Sequence, residues 1–211
     1  MTQTIVIFGG SGFIGQALCQ EAIKQSISVI SISKHGRPKN NEFWMDHPLI
    51  TWVSMDILQT NQWQTLIEPS TPCINLIGIL FENKRKGLTD ERMIVQANQR
   101  ISQEAEKKQC PYVFLSAKGG PRQYVAAKKQ AEQDLMTHTH PVIIIRSGLV
   151  VTKESPLRYF QGLGIKAVSH LPVIKKLAQP VYPTSLDNLV QTILKEVTQP
   201  NQQHKIINDL R

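Results

Sequence analysis

The string FGGSGFIG, Phe8 to Gly15, begins where the β-branched run Thr4 to Phe8 (TIVIF) ends and leads into a stretch of helical periodicity. It contains both Gly10-x-Gly12-x-x-Gly15 and the wider Gly9-x-x-Gly12-x-x-Gly15. Placed between a strand and a helix, Gly9 and Gly10 allow a tight turn, Gly12 lets backbone approach a pyrophosphate, and Gly15 lets helix pack closely on strand. The phosphate-binding turn then includes Ser11, Phe13 and Ile14, because free N–H groups and the helix dipole favour negative charge there. A glycine-rich turn without a ligand is the competing reading. Either way the chain must open with a buried strand crossing into a helix, which confines it to the α/β folds.

Alternation continues along the chain. A helix is predicted over Phe13 to Lys24, with Ile14, Ala17, Leu18 and Ala22 on one side. Strands are predicted over Ile27 to Ser33, Ile50 to Ser54, Pro72 to Leu80, Tyr112 to Ser116 and Val142 to Arg146. Between them fall helices around Asn61 to Ile67, from Thr89 as N-cap to Gln109, and from Gln123 to Met136. A last helix is predicted from Ser185 to Val197, capped by Ser185. Strands separated by helices of this length imply βαβ units, so the expected fold is a Rossmann-type, doubly wound, mostly parallel sheet with helices on both faces. Residues 1–211 read as a single domain. Within it, 148–184, broken by Pro156, Gly162, Gly164, Pro172, Pro180 and Pro183, reads as a small substrate-side insertion.

Composition excludes several function classes. With 24 Lys and Arg against 16 Asp and Glu the net charge is +8, yet the basic residues are scattered and only Lys84-Arg85-Lys86 forms a run. Aromatics make up only 6%, so a nucleic-acid surface is not expected, and a nucleotide cofactor or a solubilising surface explains the sign. The best apolar stretch, Cys73 to Phe81, is too short to span a bilayer. The first run is shorter than a signal-peptide core, so a cytoplasmic location is expected. Cys19, Cys73 and Cys110 lack metal spacing and read as reduced, buried thiols, and no metal site is expected. His138 and His140 read as surface residues, and Trp44, Trp52 and Trp63 as packing. Tyr182 either lines the crevice or packs beneath it.

Past the second strand, where an acidic residue commonly marks NAD, the text is Ser31-Ile32-Ser33-Lys34-His35-Gly36-Arg37, with no Asp or Glu between Glu21 and Glu42. Ser33, Lys34 and Arg37 are candidates for a 2′-phosphate, which points to NADP(H) with NAD(H) as the alternative; an ordinary basic turn is the other reading. Asp56 is placed either to accept the adenine amino group or to cap a helix. Tyr124 and Lys128, at i and i+4, share one helix face. An ammonium beside a phenol lowers the phenol's pKa, which suits the tyrosine to proton transfer. Ser116, ending the strand before them, is a candidate to orient a substrate carbonyl.

Together FGGSGFIG, INLIGIL, FLSAKGG, YVAAKKQAE, IIIRSGLVV and QPVYPTSLDNLV resemble the short-chain dehydrogenase/reductase superfamily. The likeness is to its atypical, epimerase/dehydratase-like members. Among these, the chain is similar to NAD(P)H-binding accessory proteins of respiratory complex I and of ubiquinone biosynthesis. The resemblance implies that Gly9, Gly12 and Gly15 bind pyrophosphate and that Ile77 and Gly78 border the cofactor. It implies that Tyr124 and Lys128 form the acid/base pair, with Lys128 also touching the nicotinamide ribose. The step from Ser116 to Tyr124 is shorter than is usual in the family. The expected function is an NADP-preferring oxidoreductase acting on an unidentified small carbonyl or alcohol. The alternatives are a non-catalytic NAD(P)H-binding module with a protein partner, or an epimerase or dehydratase that retains its cofactor.

Overall fold

The chain is described here from a computed structural model, over residues 3–151, 184–199, 203–208 and 210. Strand β1 (Thr4–Phe8) enters the glycine turn and is followed by α1 (Phe13–Lys24) and β2 (Ser28–Ser33). After β3 (Ile50–Ser54) and β4 (Cys73–Asn75) the chain forms one π-helical stretch, Glu91–Gln96, continuing into α2 (Ala97–Lys107). Then come β5 (Tyr112–Ala117), α3 (Arg122–Leu135) and β6 (Val142–Ser147). A short pair, β7 (Val150–Val151) and β8 (Thr184–Ser185), precedes α4 (Leu186–Thr198) and β9 (Lys205–Ile207).

Seven strands form one sheet in the order β3-β2-β1-β4-β5-β6-β9, every neighbouring pair parallel. Period-2 alternation explains why its central strands read as unbroken apolar runs. Ile5 and Ile7 face the layer of α1 and α4, whereas Val6 and Phe8 face the layer of α2 and α3. The same division holds for Val113 and Leu115 against Tyr112 and Phe114, and for Ile143 and Ile145 against Val142 and Ile144. Both faces are therefore covered, as the doubly wound reading expects. The order reverses between β1 and β4, which opens a crevice at the carboxyl ends of these strands.

The structure departs from the sequence reading at definite points. The fourth strand is three residues long rather than running to Leu80, because the Asn75 side chain turns the chain. Its Oδ1 accepts the Ile77 N–H at 2.9 Å while its Nδ2 donates to the Tyr112 hydroxyl at 2.9 Å. Asn61 to Ile67 holds a 3₁₀ turn, Gln62–Leu66, instead of an α-helix. The Thr89 hydroxyl does accept the Arg92 N–H, at 3.3 Å, but the first turns beyond it are π-helical. Ser185 precedes α4 with extended backbone and makes no side-chain cap hydrogen bond. The seventh strand, β9, was not anticipated.

Trp63 is fully buried against Phe8, and Trp44 and Trp52 pack on each other, so the tryptophans serve packing. All three cysteines are buried free thiols. His138 and His140 are not surface residues: His140 is fully buried and the His138 side chain is 6% exposed. Tyr182 and residues 152–183 of the expected insertion lie outside the described residues. Among the described residues no helix is long and apolar enough to cross a membrane.

Candidate functional site

The glycine turn divides its four glycines among three tasks. Gly9 has φ +89°, and its N–H donates to the Ile32 carbonyl at 2.9 Å, so it makes the turn. A Cβ on Gly10 would lie 2.2 Å from Ser31 Oγ, and one on Gly15 would lie 2.4 Å from the Gly9 carbonyl and 2.5 Å from Gly10 Cα. Those two positions are glycine because β1, β2 and α1 pack too closely for anything larger. Gly12 differs: its φ of −75° and ψ of 173° suit any residue, and an added Cβ would meet only the Gly9 carbonyl, at 3.2 Å. The space beside Gly12 belongs to a cavity, not to the packed protein. That is a cradle a side chain would fill and a pyrophosphate fits.

This cavity, about 330 Å³, sits at the carboxyl ends of the strands. Of the residues singled out in the sequence, Gly9, Ser11, Gly12, Ser33, Lys34, Asp56, Ile77 and Gly78 line it. Helix α1 points its amino end at the cavity with no side-chain cap and no acidic residue in its first turn. An anion there meets the positive end of the dipole without competition. The Ser33 hydroxyl accepts the Ser11 N–H at 3.2 Å, joining the turn to the end of β2. Lys34 Nζ lies 3.2 Å from Asp56 Oδ2, while Asp56 Oδ1 accepts the Leu58 N–H at 3.0 Å. Asp56 thus caps a turn and lines the cavity at once.

Other expected residues stand elsewhere. Phe13 and Ile14 pack on the apolar layer beneath α1. Arg37 stands apart from the cavity lining: its guanidinium pairs with Asp46 at the surface through two contacts of 2.7 and 2.9 Å. A planar fork and a carboxylate make a closed bidentate pair, which leaves Lys34 as the cation of this loop that faces the cavity. The far rim carries Lys86, Arg92 and Met93, which sequence reasoning passed over. The one signal was the basic run at Lys84 to Lys86, read there only as charge.

Helix α3 carries Tyr124 and Lys128. The Lys128 ammonium is buried, donates to the Leu115 carbonyl at 2.7 Å and lies 4.5 Å from the Phe114 ring centre and 5.9 Å from that of Tyr124. A Cβ on Gly78 would lie 3.5 Å from it, so the ammonium sits directly behind that part of the cavity wall. Burial pushes Lys128 down to about 7, against the opposing pull of the Glu132 and Asp90 carboxylates. Tyr124 is partly buried against the α2–α3 layer.

Ser116 does not join them. Its buried hydroxyl donates to Glu132 Oε1, and Glu132 is also held by Arg146, through Nε at 3.0 Å and Nη2 at 2.6 Å. A buried carboxylate draws in every donor within reach, since each one lowers the cost of its charge. The serine expected to orient a substrate carbonyl is occupied in that network.

Solved structures with this fold include MoeE5 in complex with UDP-glucose and NAD, at a TM-score of 0.72 and 15% identity over 98% of this chain and 75% of that one. They also include UDP-N-acetylglucosamine 4-epimerase from Methanobrevibacter ruminantium M1, at a TM-score of 0.71 and 13% identity over 99% and 77%. At such identities the likeness establishes the fold. By sequence the chain is 28% identical over 163 residues to an uncharacterised chloroplastic protein of Arabidopsis thaliana, covering 72% of this chain and 52% of that protein. It is 34% identical over 89 residues to MIOREX complex component 2 of Saccharomyces cerevisiae, covering 40% and 31%. The matches thus span about half of the first relative and under a third of the second. Residues 5–143, which carry the glycine turn, the cavity and the helix of Tyr124 and Lys128, match the NAD dependent epimerase/dehydratase family, and the chain belongs to that family of NAD(P)-binding, Rossmann-like proteins.

Proposed function

We propose that the protein is an NADP(H)-preferring oxidoreductase of the atypical short-chain type, acting on a small carbonyl or alcohol. The observation that carries this reading is Lys128, a buried cation held behind Gly78 at the wall of a nucleotide-sized cavity, one helical turn from Tyr124. Burying an ammonium is costly, and burial with a strongly lowered pKa beside a cleft is the arrangement that acid/base sites need.

The nicotinamide, when bound, supplies hydride exchange. The rest falls to the chain. Gly12 and the uncapped first turn of α1 bind the pyrophosphate, and Lys34 meets the 2′-phosphate. Lys128 holds the ribose and favours the phenolate of Tyr124, and the Tyr124 hydroxyl passes the proton to or from the substrate oxygen.

A second reading is favoured by one specific observation, the engagement of Ser116 with Glu132. Without a serine free to polarise a carbonyl, the chain acts as a cofactor-loaded accessory module. Similarity to a yeast protein named as a component of a complex supports a protein partner for that reading.

Turnover separates the two. A panel of aldehydes, ketones and quinones is assayed with NADPH, and Tyr124→Phe is compared with wild type. The enzyme reading requires turnover that falls about 10²–10⁴-fold in the variant while NADPH affinity holds. No turnover across the panel, or full activity in Tyr124→Phe, refutes it.

A further inference from the structure

We propose that Glu106, His138 and His140 form a site for a divalent transition-metal ion of the zinc type at the amino-terminal edge of the sheet, far from the nucleotide cavity. Glu106 lies near the end of α2, and the histidines lie in the turn between α3 and β6. One ligand atom from each residue lies within 4.8 Å of the others. Two imidazoles and a carboxylate are a donor set that holds Zn²⁺ with a fourth position open to water. Bonds of about 2.0–2.2 Å put tetrahedral ligand atoms about 3.4 Å apart, so side-chain rotation must close the remaining gap.

Independent support comes from buried polar atoms that make no hydrogen bond. Among the described residues, the buried side-chain atoms lacking a hydrogen bond include both ring nitrogens of His140, His138 Nδ1 and Asp134 Oδ2. Buried polar groups are nearly always satisfied, and a fully buried imidazole with neither nitrogen bonded calls for a partner. His138 Nδ1 approaches Glu106 Oε2 to 2.9 Å, yet without hydrogen-bond geometry.

The surroundings also match what a metal site needs. Glu106 Oε1 accepts the Thr139 N–H at 2.7 Å and the Thr139 hydroxyl at 3.0 Å, which fixes the carboxylate. With His138 Nδ1 turned to the ion, Nε2 faces the Ser102 hydroxyl at 3.5 Å and Asp134 Oδ2 at 3.9 Å. A ligating histidine characteristically gives its second N–H to a nearby acceptor, here the Ser102 hydroxyl, while Asp134 Oδ2 lies beyond hydrogen-bond reach. The Glu106 side chain is 33% exposed, so an ion has a path in. Bound there, it would tie the turn before β6 to the end of α2 and stabilise the fold.

The test uses the full chain, stripped with a chelator and titrated with Zn²⁺ alone by calorimetry and with Co²⁺ by visible absorption. One Zn²⁺ should bind, the melting temperature should rise, and Co²⁺ should show the bands of a four-coordinate ion. Glu106→Gln, at a partly exposed position, and His138→Ala should each weaken Zn²⁺ by at least about tenfold, with NADPH affinity unmoved. If His138→Ala fails to fold, Glu106→Gln decides alone. Absence of Zn²⁺ binding to the wild-type chain overturns the proposal. So does equal Zn²⁺ affinity in the folded variants, the mark of an adventitious ion only.

Discussion

Ser116, near the end of β5, donates its hydroxyl to the carboxylate of Glu132 on α3. Because Arg146 grips the same carboxylate, the serine is part of a buried charge network that fastens α3 to β5 and β6. A hydrogen bond to a charged group contributes about 1.5–3 kcal/mol, so Ser116→Ala should destabilise the protein by that order in urea unfolding. NADPH affinity should stay within about twofold, as expected when a polar contact is lost away from the cavity. A stable variant with lost cofactor binding would contradict this placement.

The glycine turn predicts opposite outcomes at two of its positions. A Cβ at Gly12 meets only the Gly9 carbonyl, at 3.2 Å, and the position has an ordinary φ, so the apo protein should fold in Gly12→Val. Its side chain takes the space of the pyrophosphate, and NADPH binding should be lost. Gly15→Ala sets a methyl 2.4 Å from the Gly9 carbonyl, and overpacking of that kind costs about 1–3 kcal/mol or more. Circular dichroism melts and nucleotide titration on both variants check the contrast.

Cofactor choice should rest on Lys34 and not on Arg37. Lys34 faces the cavity in an ion pair with Asp56, whereas Arg37 is closed onto Asp46. Lys34→Ala should reduce the affinity ratio of NADPH to NADH by about tenfold, the lower end for an exposed charged hydrogen bond. Arg37→Ala should leave the ratio unchanged. A loss of NADPH preference in Arg37→Ala alone would reverse the assignment.

Lys128 makes stability depend on pH. Its pKa falls from 10.5 to about 7 on folding, because burial disfavours the ammonium. Between those values the unfolded chain holds a proton that the folded chain has released, so stability rises with pH through that window. Below about pH 7 both states are protonated and the burial cost is felt in full. Lys128→Met should therefore stabilise the apo protein at pH 7 by about 1–4 kcal/mol, with the gap narrowing toward pH 10, while NADPH binding weakens. Unfolding curves of both proteins across that range provide the measurement.

What the sequence determined by itself was everything written in neighbouring residues. The apolar runs of β1, β5 and β6, the glycine turn and the span of α1 depend on backbone freedom and on short-range periodicity, and the structure reproduces them. Asn75 already strains that rule, because an apolar run reads on through it while its side chain ends the strand. Tertiary structure alone decided which partner each polar group takes. Arg37 found Asp46, Ser116 found Glu132, and Lys86 and Arg92 came to the rim of a cavity whose glycine turn lies far away in sequence. It decided as well that Lys205–Ile207 is a strand, since three residues have no stability apart from the edge of β6. It also buried His140 beside Glu106, which three residues of polar sequence could not announce. A polar side chain is satisfied by whatever folding carries to it, and that depends on the packing of layers distant in the chain, not on local pattern.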